Sequence, residues 1–270
     1  MNRIIKILFF SILAIAILTA PVLGAITEGE ALATAETYSK SGERTAVYGP
    51  YKSENKSYYY AEYRTDNRLT GVIVIDMGTG NVVSDEKTLR QVLFAVYRLM
   101  SVNNESIAAS NQKAQQYRAE ALLYADNPNI ANIFNKMAET YDEIEAVEED
   151  VVVRLNVSYE NAMKLSQLFK ELEESLKSLS AYENDLTANA GVTKQMIEYM
   201  IEEIEIDSQN FQAREDMGVN YSNERVGNGK ADTESTPGFE ADTESTPGFG
   251  LIAAVFALAV IGFFIRKQKK

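Results

Sequence analysis

No glycine and no proline stands between residues 129 and 190, and nothing else in the sequence limits its fold as strongly. About 60 residues without a breaker favour helix, because Gly and Pro are the residues that end helices most effectively. Apolar residues recur there in steps of three and four: Ile130, Phe134, Met137, Tyr141, Ile144 and Val151, then Leu165, Phe169, Leu172, Leu176, Leu179 and Leu186. Two outcomes stay open. One is a single helix of about 90 Å; the other is a pair divided near Val151-Val152-Val153 or Asn156, where β-branched residues and Asn lower helix propensity. Pro128 suits a first turn and opens the segment. Ahead of it, Ser84 is expected to cap a helix that carries Leu89, Val92, Leu93, Val96, Leu99 and Met100 and runs to about Ala125, where Asp126-Asn127-Pro128 stops it. Behind it, a last helix is expected over about Thr193 to Met217, using Met196, Ile197, Met200, Ile204 and Phe211. Short connections make such helices antiparallel neighbours, so residues 84–218 are expected to form a long helical hairpin or coiled-coil bundle acting as a spacer.

The pattern before residue 84 has a different period. Ala31, Leu32, Ala35 and Tyr38 share one helical face behind Thr27, a suitable N-cap, and Gly42 ends the segment. Three strand-like runs follow, Thr45 to Tyr51, Ser57 to Arg64 and Leu69 to Met77, then a Gly78-Thr79-Gly80 turn and a short return strand at Asn81-Val82-Val83. Six tyrosines lie between Tyr48 and Tyr63 and are expected to fill both faces of a small sheet. The helix, the meander and the run Asp76-Met77-Gly78-Thr79-Gly80-Asn81-Val82-Val83 resemble a PepSY-like domain. That resemblance implies a regulatory or protease-inhibitory module without catalytic residues. The body is therefore expected to be α+β, a PepSY-like module over 25–83 followed by the bundle.

Composition removes most chemistry. The 270 residues include no His and no Cys, which excludes imidazole or thiolate nucleophiles, His- or Cys-ligated metals and disulfides. Acids outnumber Lys and Arg 39 to 26, which argues against nucleic acid as a partner. Carboxylates crowd Glu139 to Asp150 and Glu198 to Asp207, but without a DxDxDG loop they are expected to be solvated helix faces, so neither a metal site nor a cofactor is expected. Three S-x-x-K matches, at Ser53/Lys56, Ser84/Lys87 and Ser110/Lys113, lack the S-D-N and K-T-G companions of serine-lysine enzymes and are read as chance.

Both ends read as addresses. Arg3 and Lys6 precede an uncharged, mostly apolar stretch from Ile7 to Ala20, and Val22-Leu23-Gly24 offers a cleavage site, so residues 1–24 are expected to be a removed signal peptide. At the other end Leu251 to Ile265 is apolar and is followed by Arg266, Lys267, Lys269 and Lys270. With Phe249 and Gly250 this is a minimal membrane span whose cations stay cytoplasmic, leaving the body outside. Residues 219–249 are expected to be a disordered linker, in which Ala231 to Phe239 (ADTESTPGF) recurs as Ala241 to Phe249. Pro247-Gly248-Phe249, the apolar stretch and the basic tail together resemble the archaeal PGF-CTERM sorting signal. The resemblance implies removal of residues 250–270 by an archaeosortase, a lipid in their place and a position on the outer face of the cell membrane beside the S-layer. Four N-x-S/T sequons, at Asn55, Asn104, Asn156 and Asn220, become usable in an exported chain; Asn55 and Asn220 are the better acceptors and Asn156, inside a helix, a poor one. The expectation is a non-enzymatic surface protein whose helical stalk presents the small module to an S-layer or other surface partner. The alternative is an extracellular protease regulator or sensor acting through that module.

Overall fold

The computed structural model describes residues 24–186 and 192–227. Among them are six helices and one sheet: α1 Glu28–Glu36, β1 Arg44–Ser53, β2 Lys56–Thr65, β3 Arg68–Asp76, α2 Glu86–Leu99, α3 Asn104–Leu123, α4 Pro128–Val152, α5 Tyr159–Ser180 and α6 Lys194–Gly227. Residues 1–23 of the expected signal peptide, residues 228–249 of the expected linker, and the expected span and basic tail lie outside the described residues.

The three strands form an antiparallel meander in the order β1-β2-β3. Two-residue turns join them: Ser53 pairs with Lys56, Thr65 with Arg68, and Glu54, Asp66 and Asn67 take positive φ. Pro50 cannot donate to a ladder and sits on edge strand β1, where the register shifts between Tyr48 and Tyr51. Both faces of the sheet are covered, so the central strand is buried almost end to end. On one face Tyr59, Ala61, Tyr63, Ile73 and Ile75 meet Ala31 and Ala35 of α1. On the other, Tyr58, Tyr60, Val72 and Val74 meet Leu89, Val92, Leu93, Val96 and Tyr97 of α2 and Val219 of α6. The tyrosines thus alternate between two cores, as period two requires. Each large side chain so enclosed is worth roughly 1.5–3 kcal/mol of hydrophobic burial. Thr27 caps α1 as expected: its Oγ1 accepts from Glu30 N (3.3 Å) and its own N–H donates to Glu30 Oε2 (2.8 Å).

A third core lies among α3 to α6, built on Phe134, Met137, Ile144, Leu165, Leu172, Leu176, Leu179 and Ile197. Tyr117 stacks between Phe134 and Tyr141, with ring centroids 6.1 and 5.7 Å away.

The open alternative for the breaker-free segment is decided in favour of the pair, with the division where β-branched residues and Asn156 place it. Asp150 gathers the chain into a turn: its Oδ2 accepts from Asn156 Nδ2 (2.6 Å) and Asn161 Nδ2 (2.8 Å). Leu155 adopts a φ of 53° there, and Ser158 caps α5 by accepting from Asn161 N (3.2 Å). Two expectations need correction. The helix expected from Ser84 to Ala125 is also two, and its first cap is Asp85, whose carboxylate accepts from Thr88 N (2.9 Å). Asn103 starts the second, accepting from Glu105 N (2.7 Å) and Ser106 N (3.1 Å), while Ser106 Oγ accepts from Asn103 N (3.0 Å). Finally, α6 continues to Gly227, well beyond residue 218, with Val219, Ser222 and Arg225 buried.

That extension decides the architecture. At 34 residues α6 spans about 50 Å. It starts in the helical core, where Met200 meets Tyr117 Oη, and ends on the sheet. Val219 packs on the α2 side and Val226 on the α1 side, so the helix rounds the β3 edge. The β1 edge is met by the α4–α5 turn, Lys52 N donating to Val157 O (2.8 Å). That contact closes one end of the β1 edge, and Pro50, which has no N–H to offer, interrupts the rest of it. Ile26 packs in the same core as Val226, so both ends of the described body emerge at the sheet, and the α3–α4 turn lies at the far end.

Candidate functional site

Where α2, α5 and α6 meet, they leave a cleft of about 490 Å³. Each helix lines it with residues three or four apart: Phe94 and Arg98 from α2; Met163, Ser166, Gln167, Phe169, Lys170 and Glu173 from α5; Ile204, Asp207, Ser208, Phe211 and Gln212 from α6. Arg98 forms the floor and is 5% exposed. Its guanidinium carbon lies over two aromatic rings, 4.8 Å from the centre of Phe169 and 4.6 Å from that of Phe211. Phe94 is fixed edge-on against Tyr159, 5.8 Å between centroids. Burial pulls the Arg98 pKa down to about 10, against the opposing charge of Asp207, and the group stays cationic at neutral pH. Burial pushes the Asp207 carboxyl up, while Arg98 draws it back. The cleft therefore combines a desolvated cation, a half-buried acid, amides, hydroxyls and apolar walls.

Two further polar groups are buried elsewhere. Glu148 is enclosed between α3 and α4, where its Oε2 accepts from Ser110 Oγ (2.7 Å), and burial lifts its pKa to about 7. Lys113, one turn on from Ser110, is lowered to about 7 by the same cause. At the sheet, Arg225 forms a fork with Glu43: Nη1 donates to Oε2 (2.8 Å) and Nη2 to Oε1 (2.7 Å), with both side chains 4% exposed. Arg225 also donates to Tyr38 O (2.8 Å) and Thr70 O (3.2 Å) and lies 3.9 Å over the Tyr63 ring. Gly71 makes room for it, since a Cβ there would stand 2.2 Å from Arg225 Nε.

The residues singled out from the sequence are dispersed. Pro247, Gly248, Phe249, Arg266, Lys267, Lys269 and Lys270 lie outside the described residues. Asn55 is exposed in the β1–β2 turn and Asn104 is exposed at the start of α3. Asn156 is not within a helix but in the α4–α5 turn, where its amide is committed to Asp150 and the Ser158 of its sequon is the buried cap of α5. Asn220 is exposed but sits inside α6 rather than beside a linker, and the Ser222 of its sequon is 1% exposed. The acidic runs are not wholly solvated faces, because Glu148 is buried and Asp207 reaches the cleft. Of the S-x-x-K matches, Ser53 bonds Gln91 while Lys56 pairs with Asp76, and Lys87 pairs with Glu54; only Ser110 and Lys113 are both buried. Among the described residues no group of three acids is arranged to hold a metal, and no helix is long and apolar enough to cross a membrane. The cleft is not visible in the sequence, because Phe169 and Phe211 fall in step with the apolar residues of the helical core. The available signal was Arg98, four residues after Phe94 on a helix whose other face is apolar.

Compared with protein-family models, with curated proteins and with solved structures, the chain matches none.

Proposed function

We propose that this chain is a non-enzymatic archaeal cell-surface protein, exported and then tethered through its C-terminal PGF signal by an archaeosortase. The observation that carries the reading is the order Pro247-Gly248-Phe249, an apolar stretch over 251–265 and four cations in the last five residues. The fold is compatible with it in one specific way. The described part of α6 reaches Gly227 beside the sheet, and we take the sheet as the tethered end of the body and the helical core as the outward one. The 22 residues from 228 to 249 could reach at most about 75 Å when extended. Sheet and helices share α2 and α6, so the body is one unit and not a cargo carried on a stalk. Within it, α1 with β1 to β3 is the part we read as PepSY-like, and α3 to α6 as the coiled-coil bundle. The S-layer, or another surface protein, is the partner such a body meets.

Intact-mass spectrometry of the protein from its own cell membranes tests the processing. The expected species lacks residues 1–24 and 250–270 and carries a lipid mass; a species that retains Leu251 to Lys270 rejects the sorting step.

A further inference from the structure

The four sequons are alike in sequence, and the fold separates them by what it does with the serine hydroxyl. Sugar transfer to an N-x-S/T site needs the asparagine amide at the surface and the hydroxyl two positions on within reach of the transferring enzyme. Three of the four spend that hydroxyl, or bury it, in holding the fold. In the sequon of Asn104, Ser106 Oγ accepts from Asn103 N (3.0 Å) and donates to Asn103 O (2.8 Å), which commits it to the cap of α3. In that of Asn156, the amide donates to Asp150 Oδ2 (2.6 Å), and the buried Ser158 accepts from Asn161 N (3.2 Å) as the cap of α5. In that of Asn220, the backbone is helical on both sides and Ser222 is buried.

Asn55-Lys56-Ser57 differs in each respect. Ser53 pairs with Lys56, so Asn55 is the second residue of the β1–β2 turn, and it is exposed. Its neighbours are engaged: Lys87 Nζ donates to Glu54 Oε1 (3.0 Å), and Lys56 Nζ lies 3.5 Å from Asp76 Oδ2. Among the described residues, neither the Asn55 amide nor the Ser57 hydroxyl is taken by a partner, and Ser57 is half-buried on the extended backbone of β2. A bulky group on the turn is held away from both sheet cores, which begin at Tyr58 and Tyr59. We propose that Asn55 is the N-glycosylation site of this chain and that the other three sequons stay bare. The proposal rests on the export proposed above. In the transfer, Asn55 Nδ2 bonds to the anomeric carbon of a glycan carried on a lipid phosphate. The new C–N bond replaces the C–O bond to phosphate, the lipid phosphate leaves with that electron pair, and the amide gives up one proton to a base of the transferring enzyme.

The test maps peptides by mass spectrometry in the protein taken from its own cell membranes, with the N-terminal peptide read in the same digest. A sugar mass is expected on the peptide that holds Asn55, with unmodified peptides at Asn104, Asn156 and Asn220. Asn55→Gln and Ser57→Ala should each remove that mass. Ser57→Thr keeps a hydroxyl, suits a strand and should retain the mass. An unmodified Asn55, a sugar on any of the other three asparagines, or a sugar on Asn55 that survives Ser57→Ala would each overturn the proposal. The N-terminal peptide separates this failure from that of the export reading. An unmodified Asn55 in a chain that has lost residues 1–24 overturns the site and leaves export standing, whereas one in a chain that keeps them overturns both.

Discussion

At the scale of single residues, the chain's buried charges follow a common rule: an ionisable group survives in a core only when partners replace its water, and where they are few its proton affinity moves. Arg225 and Glu43 show the satisfied case. Burial alone would raise the Glu43 carboxyl, yet hydrogen bonds from Arg225, Lys40 N and Thr70 outweigh it and hold the group below the usual range. Glu148 shows the opposite balance. Burial dominates, Ser110 and Ser106 only partly offset it, the like charge of Glu145 adds to it, and the pKa rises from 4.5 to about 7. Between those two values the folded protein binds a proton that the unfolded chain has released, so this group's contribution is complete below pH 4.5 and is lost as pH rises through 7. The difference amounts to roughly 3 kcal/mol. Glu148→Gln keeps an acceptor for Ser110 Oγ and cannot ionise. Urea denaturation should therefore find the variant more stable than the parent by about 2–3 kcal/mol at pH 8 and level with it at pH 4. Equal stability at pH 8 would contradict the assignment.

Among the elements, the informative contact is the crossing of α2 and α6. Gly218 permits it: a Cβ there would stand 2.9 Å from Tyr97 Oη and 3.0 Å from Leu93 Cδ1. Ala is the better helix former by about 1 kcal/mol, so on propensity alone Gly218→Ala should stabilise. Overpacking costs about 1–3 kcal/mol and is expected to prevail, giving a lower melting temperature. In a Tyr97→Phe background, where the hydroxyl is gone, the same substitution should cost less, and an unchanged cost would place the steric conflict elsewhere. This crossing also marks the limit of what periodicity could show. The steps of three and four named Ile130, Phe134, Met137, Leu172, Leu176 and Ile197 as core, and they are. The helix expected from Ser84 ran on through Ser101 to Asn103 because no glycine or proline stands there; only the Asn103/Ser106 cap marks the break. In α4 and α5 the break was legible as a weakness near Asn156, but its cause, Asp150 reaching Asn161, is a contact across 11 residues. The cleft was less legible still, since its residues come from three helices and converge only after those helices pack.

For the whole molecule, α6 is the element that joins everything, contributing Ile197 and Met200 to the helical core, Val219 to the core under α2 and Val226 to the core under α1. The proposed removal of the two ends would also change the electrostatics of the body. Those ends hold six cations and no acids, so residues 25–249 carry 20 cations against 39 acids, a net charge of −19. Self-repulsion at that charge favours expansion, so a buried, ideally paired clasp near the last described turn matters more than its position suggests. Arg225→Ala leaves Glu43 enclosed without its partner, which should cost about 3–5 kcal/mol. The loss is expected to be local at first: hydrogen exchange should rise in the last turns of α6, in α1 and along β3, while α4 and α5 keep their protection. Replacing both partners with Met should recover much of the stability, because no charge is then stranded. If the Arg225→Ala variant instead lost protection equally in α4 and α5, sheet and helical core would open as one unit, and the clasp would be holding the entire body together rather than its sheet end.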